Sequence, residues 1–242
     1  MKKYLYSEWL KHKKSFVLKL LIIMPVVTVL LAVLMMAGHY VQMLAYNWWY
    51  LLFLPFVVSY TSAQIIRRDE KKNFHGLFGV MEEKKNLILG KTAVCTLYLG
   101  ITNVVFGIYV GVVGLLFGKQ ITMPHNLMAV IILMLTLVWQ IPFSFLLALR
   151  WNTVFAVIVN VVCNIFFACA FAEGSLWWIP FAVPARMMCI VLGILPNGLL
   201  AEDVSIFGGY MTVASGIGVS VLLYVIFSVW CGKVFTKHEA QM

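Results

Sequence analysis

Glu82-Glu83, Gly90-Lys91-Thr92, five histidines and five cysteines are the residues of this chain whose types can do chemistry, and in each case the spacing withholds what that chemistry needs. Paired glutamates in a membrane metalloprotease need histidines to share the metal, but Lys84-Lys85-Asn86 follow this pair and no histidine falls inside an apolar stretch. His12, His39, His75, His125 and His238 all map to loops or ends, so none can activate a buried serine. Gly90-Lys91-Thr92 matches the tail of a phosphate-binding loop, whose first glycine would stand where the sequence has Lys85 and whose polar loop would replace Asn86-Leu87-Ile88-Leu89. Cys95, Cys163, Cys169, Cys189 and Cys231 lack CxxC spacing, and four lie in or near apolar stretches; they read as small buried hydrophobes. No acidic residue lies within a span, which removes carboxylate-coupled proton or cation transport. The expectation is a non-catalytic chain with no metal ligands and no cofactor of its own, whose energy comes from a partner.

The elements that hold these residues follow from composition. With 63% apolar and 11% charged residues in a chain of 242, there is more apolar surface than one water-soluble core can hide. The net charge of +9 is gathered into short segments beside long uncharged runs, which marks membrane flanks and argues against a nucleic-acid partner. A helix rising about 1.5 Å per residue needs roughly 20 apolar residues to cross about 30 Å of hydrocarbon. The sequence meets this at about 15–37, 46–66, 92–117, 127–149, 153–172 and 209–232. The predicted fold is therefore an all-α membrane protein with six transmembrane helices in a single domain, 1–242. With both termini in the cytoplasm, sixteen of the eighteen Lys and Arg residues lie inside, leaving Lys119 and Arg186 outside.

Several segments carry finer expectations. The basic start is followed by an apolar run too long for a signal peptide, so it is read as retained. In 1–14, Tyr4, Leu5, Trp9 and Leu10 share a helix face opposite Lys3, Lys11, Lys13 and Lys14, which fits an interfacial helix; a plain basic flank is the other reading. Tyr40, Tyr46, Trp48, Trp49 and Tyr50 gather near the first outer turn, where amphipathic rings favour the headgroup layer. In the third span Gly107, Gly111, Gly114 and Gly118 form small-xxx-small pairs that admit a close helix, either from this chain or from a second membrane subunit. Asn103, Gln140, Asn160 and Asn164 are amides inside spans; they bind a neighbouring helix or line a substrate path. Pro142 is expected to bend the fourth span.

The cytoplasmic loop 67–91 opens and closes with charge but is apolar at its centre. Its Phe74, Leu77, Phe78, Val80, Met81, Glu82 and Glu83 fit a short amphipathic helix seated in a groove of a cytosolic protein, or one dipping into the lipid interface. The outer segment 173–208, with Pro180, Pro184 and Pro196, suits short helices in the outer leaflet better than one straight crossing. Its Glu173, Glu202 and Asp203 outweigh Arg186, and either meet a cationic substrate or are solvated loop charges.

This layout resembles the membrane subunits of type-2 ABC exporters: a basic amphipathic start, six spans, a coupling helix between spans two and three, and a broken outer segment before span six. Local sequence narrows the resemblance. The opening Tyr4-Leu5-Tyr6-Ser7-Glu8-Trp9-Leu10-Lys11-His12-Lys13-Lys14-Ser15-Phe16, the Asn47-Trp48-Trp49 that starts span two, and Leu192-Gly193-Ile194-Leu195-Pro196-Asn197-Gly198 are similar to lantibiotic-immunity permeases of the MutE/EpiE group. The sister MutG group shares the layout. The resemblance implies an ATP-driven heteromeric complex in a bacterial plasma membrane: two copies of an ATPase subunit, which bind ATP and Mg, beneath this permease and a second, different one. Its substrate would be a cationic lantibiotic peptide, expelled to give antimicrobial resistance or self-immunity, and 74–83 would be the ATPase-coupling helix. A permease of another ABC exporter, for lipid or drug, and an energy-independent scaffold or pore remain as alternatives.

Overall fold

A computed structural model describes residues 15–36, 38, 40–70 and 84–239. The amphipathic start, and the coupling residues Phe74, Leu77, Phe78, Val80, Met81, Glu82 and Glu83, lie outside the described residues.

Among the described residues, six apolar helical stretches of membrane-spanning length make the chain a multi-pass membrane protein: Phe16–Met35, Val41–Arg68, Ile88–Phe117, Met123–Arg150, Thr153–Phe171 and Val204–Val234. All secondary structure among the described residues is helical apart from one isolated bridge between Ile194 and Leu200. In order, span 1 is α1 (Phe16–Met35); span 2 is α2 (Val41–Trp48), a π-helical segment (Trp49–Phe53) and α3 (Leu54–Glu70); span 3 is α4 (Lys84–Phe117). Span 4 is α5 (Met123–Leu137) and α6 (Gln140–Arg150), span 5 is α7 (Thr153–Phe171), and a short α8 (Val183–Leu192) precedes α9 (Tyr210–Glu239), the body of span 6. Span 2 begins five residues before the predicted start, at Val41, whose N–H donates to Gly38 O at 3.3 Å.

Proline chemistry explains both broken spans. Pro55 has no N–H, so neither Leu51 O, its α-helical acceptor, nor Tyr50 O, its π-helical acceptor, is bonded by it. The Leu54 N–H goes to Trp49 O instead, and the helix widens there into a π turn. Pro142 acts in the same way on Val138 O, which accepts from the Ile141 N–H at 3.2 Å where the ladder tightens, and α5 gives way to α6 across Val138-Trp139.

The buried centre is α3, which packs against α6 and α7, while α1 lies on α4, α5 on α8 and α6 on α9. Two ends result. One holds the turns at 36–40 and 118–122 and the whole of 173–208. The other holds Arg67, the Arg150-Trp151-Asn152 turn and the far end of α9, joined by Arg67 Nη1 donating to Ala148 O (3.3 Å) and Trp151 O (2.9 Å). Lys91, expected as a loop charge, sits two turns inside α4 and is fully buried.

Three of the five aromatics expected in the headgroup layer turn inward. Tyr46, Trp49 and Tyr50 are completely buried. Each ring fills the core while its polar tip finds a partner, a geometry that periodicity of apolar residues cannot distinguish from an interfacial one.

Candidate functional site

The polar residues inside the bundle form three separate locks. In the first, Trp49 stacks on Phe106 with ring centroids 4.5 Å apart and donates its Nε1–H to Asn103 Oδ1 at 3.0 Å. The second surrounds the π turn. Asn164 Nδ2 donates to Tyr50 O (2.9 Å) and Leu51 O (3.1 Å), the two carbonyls stranded by Pro55. Gln140 Nε2 reaches Asn164 Oδ1 at 3.4 Å, and Asn160 Nδ2 donates to Ser144 Oγ (3.2 Å) and Ala156 O (2.8 Å). The structure thus brings Gln140, Asn160 and Asn164 together between α6, α7 and the π turn, leaves Asn103 apart on α4, and uses all four to tie helices to one another.

The third lock, at the end that holds 173–208, is built from residues that apolar periodicity passed over. Gln42 Nε2 donates to Val110 O (3.0 Å), and its Oε1 accepts from the Gln120 and Ile121 N–H groups at 2.8 and 2.9 Å, fixing the turn between spans 3 and 4. Tyr46 Oη donates to Asn126 Oδ1 (2.5 Å), and Asn126 Nδ2 donates to Gly107 O (2.9 Å). Gln42 falls just outside the predicted second span and Asn126 one residue before the fourth; an amide at a span boundary whose helix continues inward was the available signal.

The glycine stripe meets this same lock. A methyl group on Gly107 would come within 2.8 Å of Val130, one on Gly111 would rest 3.6 Å from Met123, and one on Gly114 would collide with the Gln42 amide. Gly118 adopts φ +107° just past the end of α4. Gly107, Gly111 and Gly114 meet side chains of this chain, and Gly118 closes a turn.

In the outer segment, Arg186 is 7% exposed and folded into the protein. Its Nη1 donates to Ala172 O (3.0 Å) and Glu173 O (3.2 Å), capping the carbonyls just past the end of α7, and its guanidinium lies 4.9 Å from the Phe207 ring. The arginine is a clamp joining α7, α8 and the 3₁₀ turn Val204–Phe207. Burial, then the nearby Glu173 carboxylate, pushes the Cys189 thiol up to about 12, so it stays protonated and non-nucleophilic at neutral pH. Glu173, Glu202 and Asp203 are exposed. Hydrogen bonding from the Ser205 side chain, and then from the Ser205 N–H, which donates to Asp203 Oδ1 at 2.8 Å, holds this carboxyl below the usual range. A cavity of about 360 Å³ opens at Val204, the residue after Asp203, and is lined also by Gln120, Ile121, His125, Leu192 and Gly193.

No family model matches the chain, and neither a curated protein nor a solved structure matches it. Geometry and local sequence are what bear on function.

One contact joins two of the sequence blocks quoted above. Asn47 Nδ2 donates to Leu195 O and Pro196 O, both at 3.1 Å, and Tyr50 Oη donates to Leu195 O at 3.3 Å. Gly198, at φ +85°, lets the turn approach Asn47, whose side-chain atoms would lie 3.7 Å from a Cβ there. Asn47-Trp48-Trp49 and Leu192–Gly198 therefore form one unit that anchors the outer segment on span 2.

Proposed function

We propose that this chain is the membrane-spanning subunit of an ATP-driven exporter, with the type-2 ABC fold, that expels lantibiotic peptides from a bacterial plasma membrane. The observation that carries the reading is the Asn47 contact. Two blocks that resemble lantibiotic-immunity permeases, about 150 residues apart in sequence, meet at two 3.1 Å hydrogen bonds, as expected if they were kept together as a working surface. On this reading the termini are cytoplasmic, because Arg67, Arg68, Arg150 and Lys233 belong to the end opposite Arg186 and positive charge stays inside.

The exposed Glu173, Glu202 and Asp203 then face the medium and attract a cationic peptide, and the 360 Å³ cavity that reaches Val204, next to Asp203, is where it would first be held. Nothing in this scheme needs the peptide to pass between the buried amides, which are committed to helix contacts. The ATPase would dock on 74–83 and supply both ATP binding and hydrolysis.

Two arms test the proposal. Expressing the chain with its neighbouring ATPase and second permease should raise the lantibiotic concentration that a sensitive strain survives, and Phe78→Asp should abolish both that gain and co-purification of the ATPase while leaving the protein in the membrane. Unchanged sensitivity with the complete complex would refute the export reading. ATP turnover that responds to lipid or drug substrates and ignores lantibiotics would move the chain to another class of ABC exporter.

A further inference from the structure

At the end of the molecule opposite the acidic outer segment, α6 and α9 part to leave a groove of about 800 Å³. Its wall is apolar, formed by Phe143, Leu147, Trp230 and Val234, while Arg150 and Trp151 stand at its mouth. Its inner end is closed by rings: Phe143 lies 5.3 Å from Phe227, which in turn stacks on Trp230 at 6.2 Å. Trp151 and Trp230 are each about half exposed, at 51% and 54%, the disposition of side chains that sit where hydrocarbon meets headgroups.

We infer that this groove is a binding site for one anionic phospholipid, an acyl chain lying along the apolar wall and the phosphate seated on Arg150. Charge decides the ligand. The Arg150 guanidinium lies 5.5 Å from the Trp151 ring and pairs with no carboxylate among the described residues, which leaves its N–H fork free for a phosphate. The mouth is also pre-formed, because Arg67 binds Ala148 O and Trp151 O and so fixes the turn that carries Arg150. A guanidinium with no carboxylate partner among the described residues, set beside an apolar groove, is the arrangement in which basic pockets between membrane helices hold acidic headgroups. The volume lies within the roughly 300–1,000 Å³ typical of ligand sites. The site rests on membrane embedding alone and is independent of the exporter reading.

The test uses the full chain, purified in mild detergent, with bound lipid counted by native mass spectrometry after adding dioleoylphosphatidylglycerol or dioleoylphosphatidylcholine at equal concentration. The wild type should retain one phosphatidylglycerol in preference to phosphatidylcholine. Arg150→Gln should lower that preference about five-fold, the effect of one basic group at the membrane surface, and Arg150→Lys should restore most of it. Leu147→Trp, which fills the groove, should reduce retention of both lipids with the thermal midpoint unchanged. Glycerol 3-phosphate, which has the charge without the chains, should not be retained. Equal binding of the two lipids by the wild type, an unchanged preference in Arg150→Gln, or retention of glycerol 3-phosphate at the level of the lipid would each overturn the assignment.

Discussion

The most apolar 18 residues of spans 4 and 5 are almost equally apolar, with mean hydropathies of 2.3 and 2.5, yet 72% of the first stretch is buried and 22% of the second. Span 4 buries Asn126, Thr136, Gln140 and Ser144 and has a proline break in its middle, and it is enclosed by α4, α8, α9, α3 and α7. Span 5 buries one narrow stripe, Ala156, Asn160, Asn164 and Ala168, at successive intervals of four, while Val154, Ile158, Val162 and Phe166 point away from the bundle. Hydropathy therefore identifies a crossing but not its neighbours. In a solvent as apolar as leucine, small side chains and amides decide which face meets protein, because close approach and hydrogen bonds are what lipid cannot supply.

The enclosed region should respond most strongly to substitution. Trp49→Ala removes a fully buried ring stacked on Phe106 and strands the Asn103 acceptor, so it should cost about 3–5 kcal/mol, the range for large aromatic truncations in a packed core. Thermal unfolding in detergent measures this. A loss as small as that from an exposed side chain would mean that the ring is not enclosed.

Both faces of span 5 can be compared within one helix. Asn164→Leu leaves Tyr50 O and Leu51 O without the donor that Pro55 made necessary, a loss of about 1–3 kcal/mol. Ile158→Ala, on the outward face, should stay within about 0.5 kcal/mol. A large loss from Ile158→Ala in the isolated chain would show that this face is packed rather than lipid-facing.

The glycine stripe gives a smaller contrast, and one of sign. At Gly107 an added methyl meets Val130 at 2.8 Å, so Gly107→Ala should be destabilised by about 1 kcal/mol once helix propensity has offset part of the overpacking. At Gly111 the same methyl finds an ordinary 3.6 Å contact, and Gly111→Ala should be neutral or slightly stabilised. Equal effects at both positions would remove the distinction between a tight and a loose helix contact.

The number of crossings, their approximate bounds and the break near Pro142 were all legible in the sequence, because each follows from local length, composition or a missing N–H. The direction of the aromatics was not. Tyr46 and Trp49 bind Asn126 and Asn103, partners 80 and 54 residues away, and no local pattern encodes a pairing at that distance. Gln42 and Asn126 were missed for a related reason: each stands at a span boundary, where an amide normally meets water, and only the folded bundle shows it turned inward. Arg186 was legible as an outer basic residue, but its seat against the carbonyls past α7 depends on how α8 folds back beneath the 3₁₀ turn. The Asn47 contact had both halves visible as sequence blocks, with nothing local to join them.

The smallest expected effect lies on the solvated side of the comparison, at Asp203. Its carboxylate accepts from the Ser205 side chain and from the Ser205 N–H, and the folded protein therefore holds its titration below the ordinary value of 3.8. A carboxyl depressed by folding stabilises the folded state above its unfolded pKa, and this contribution disappears as pH falls through the lower, folded value. The difference in thermal midpoint between the wild type and Asp203→Ala should accordingly be slight and constant at neutral pH, then shrink once the medium is acidified below about pH 4. Asp203→Asn keeps an acceptor for the Ser205 N–H but no charge, so it should retain part of the wild-type stability and remove the pH dependence of that difference. If the asparagine variant instead followed the wild type through the acid range, the dependence would belong to another group, and Asp203 would be a capping residue whose charge does nothing for the turn.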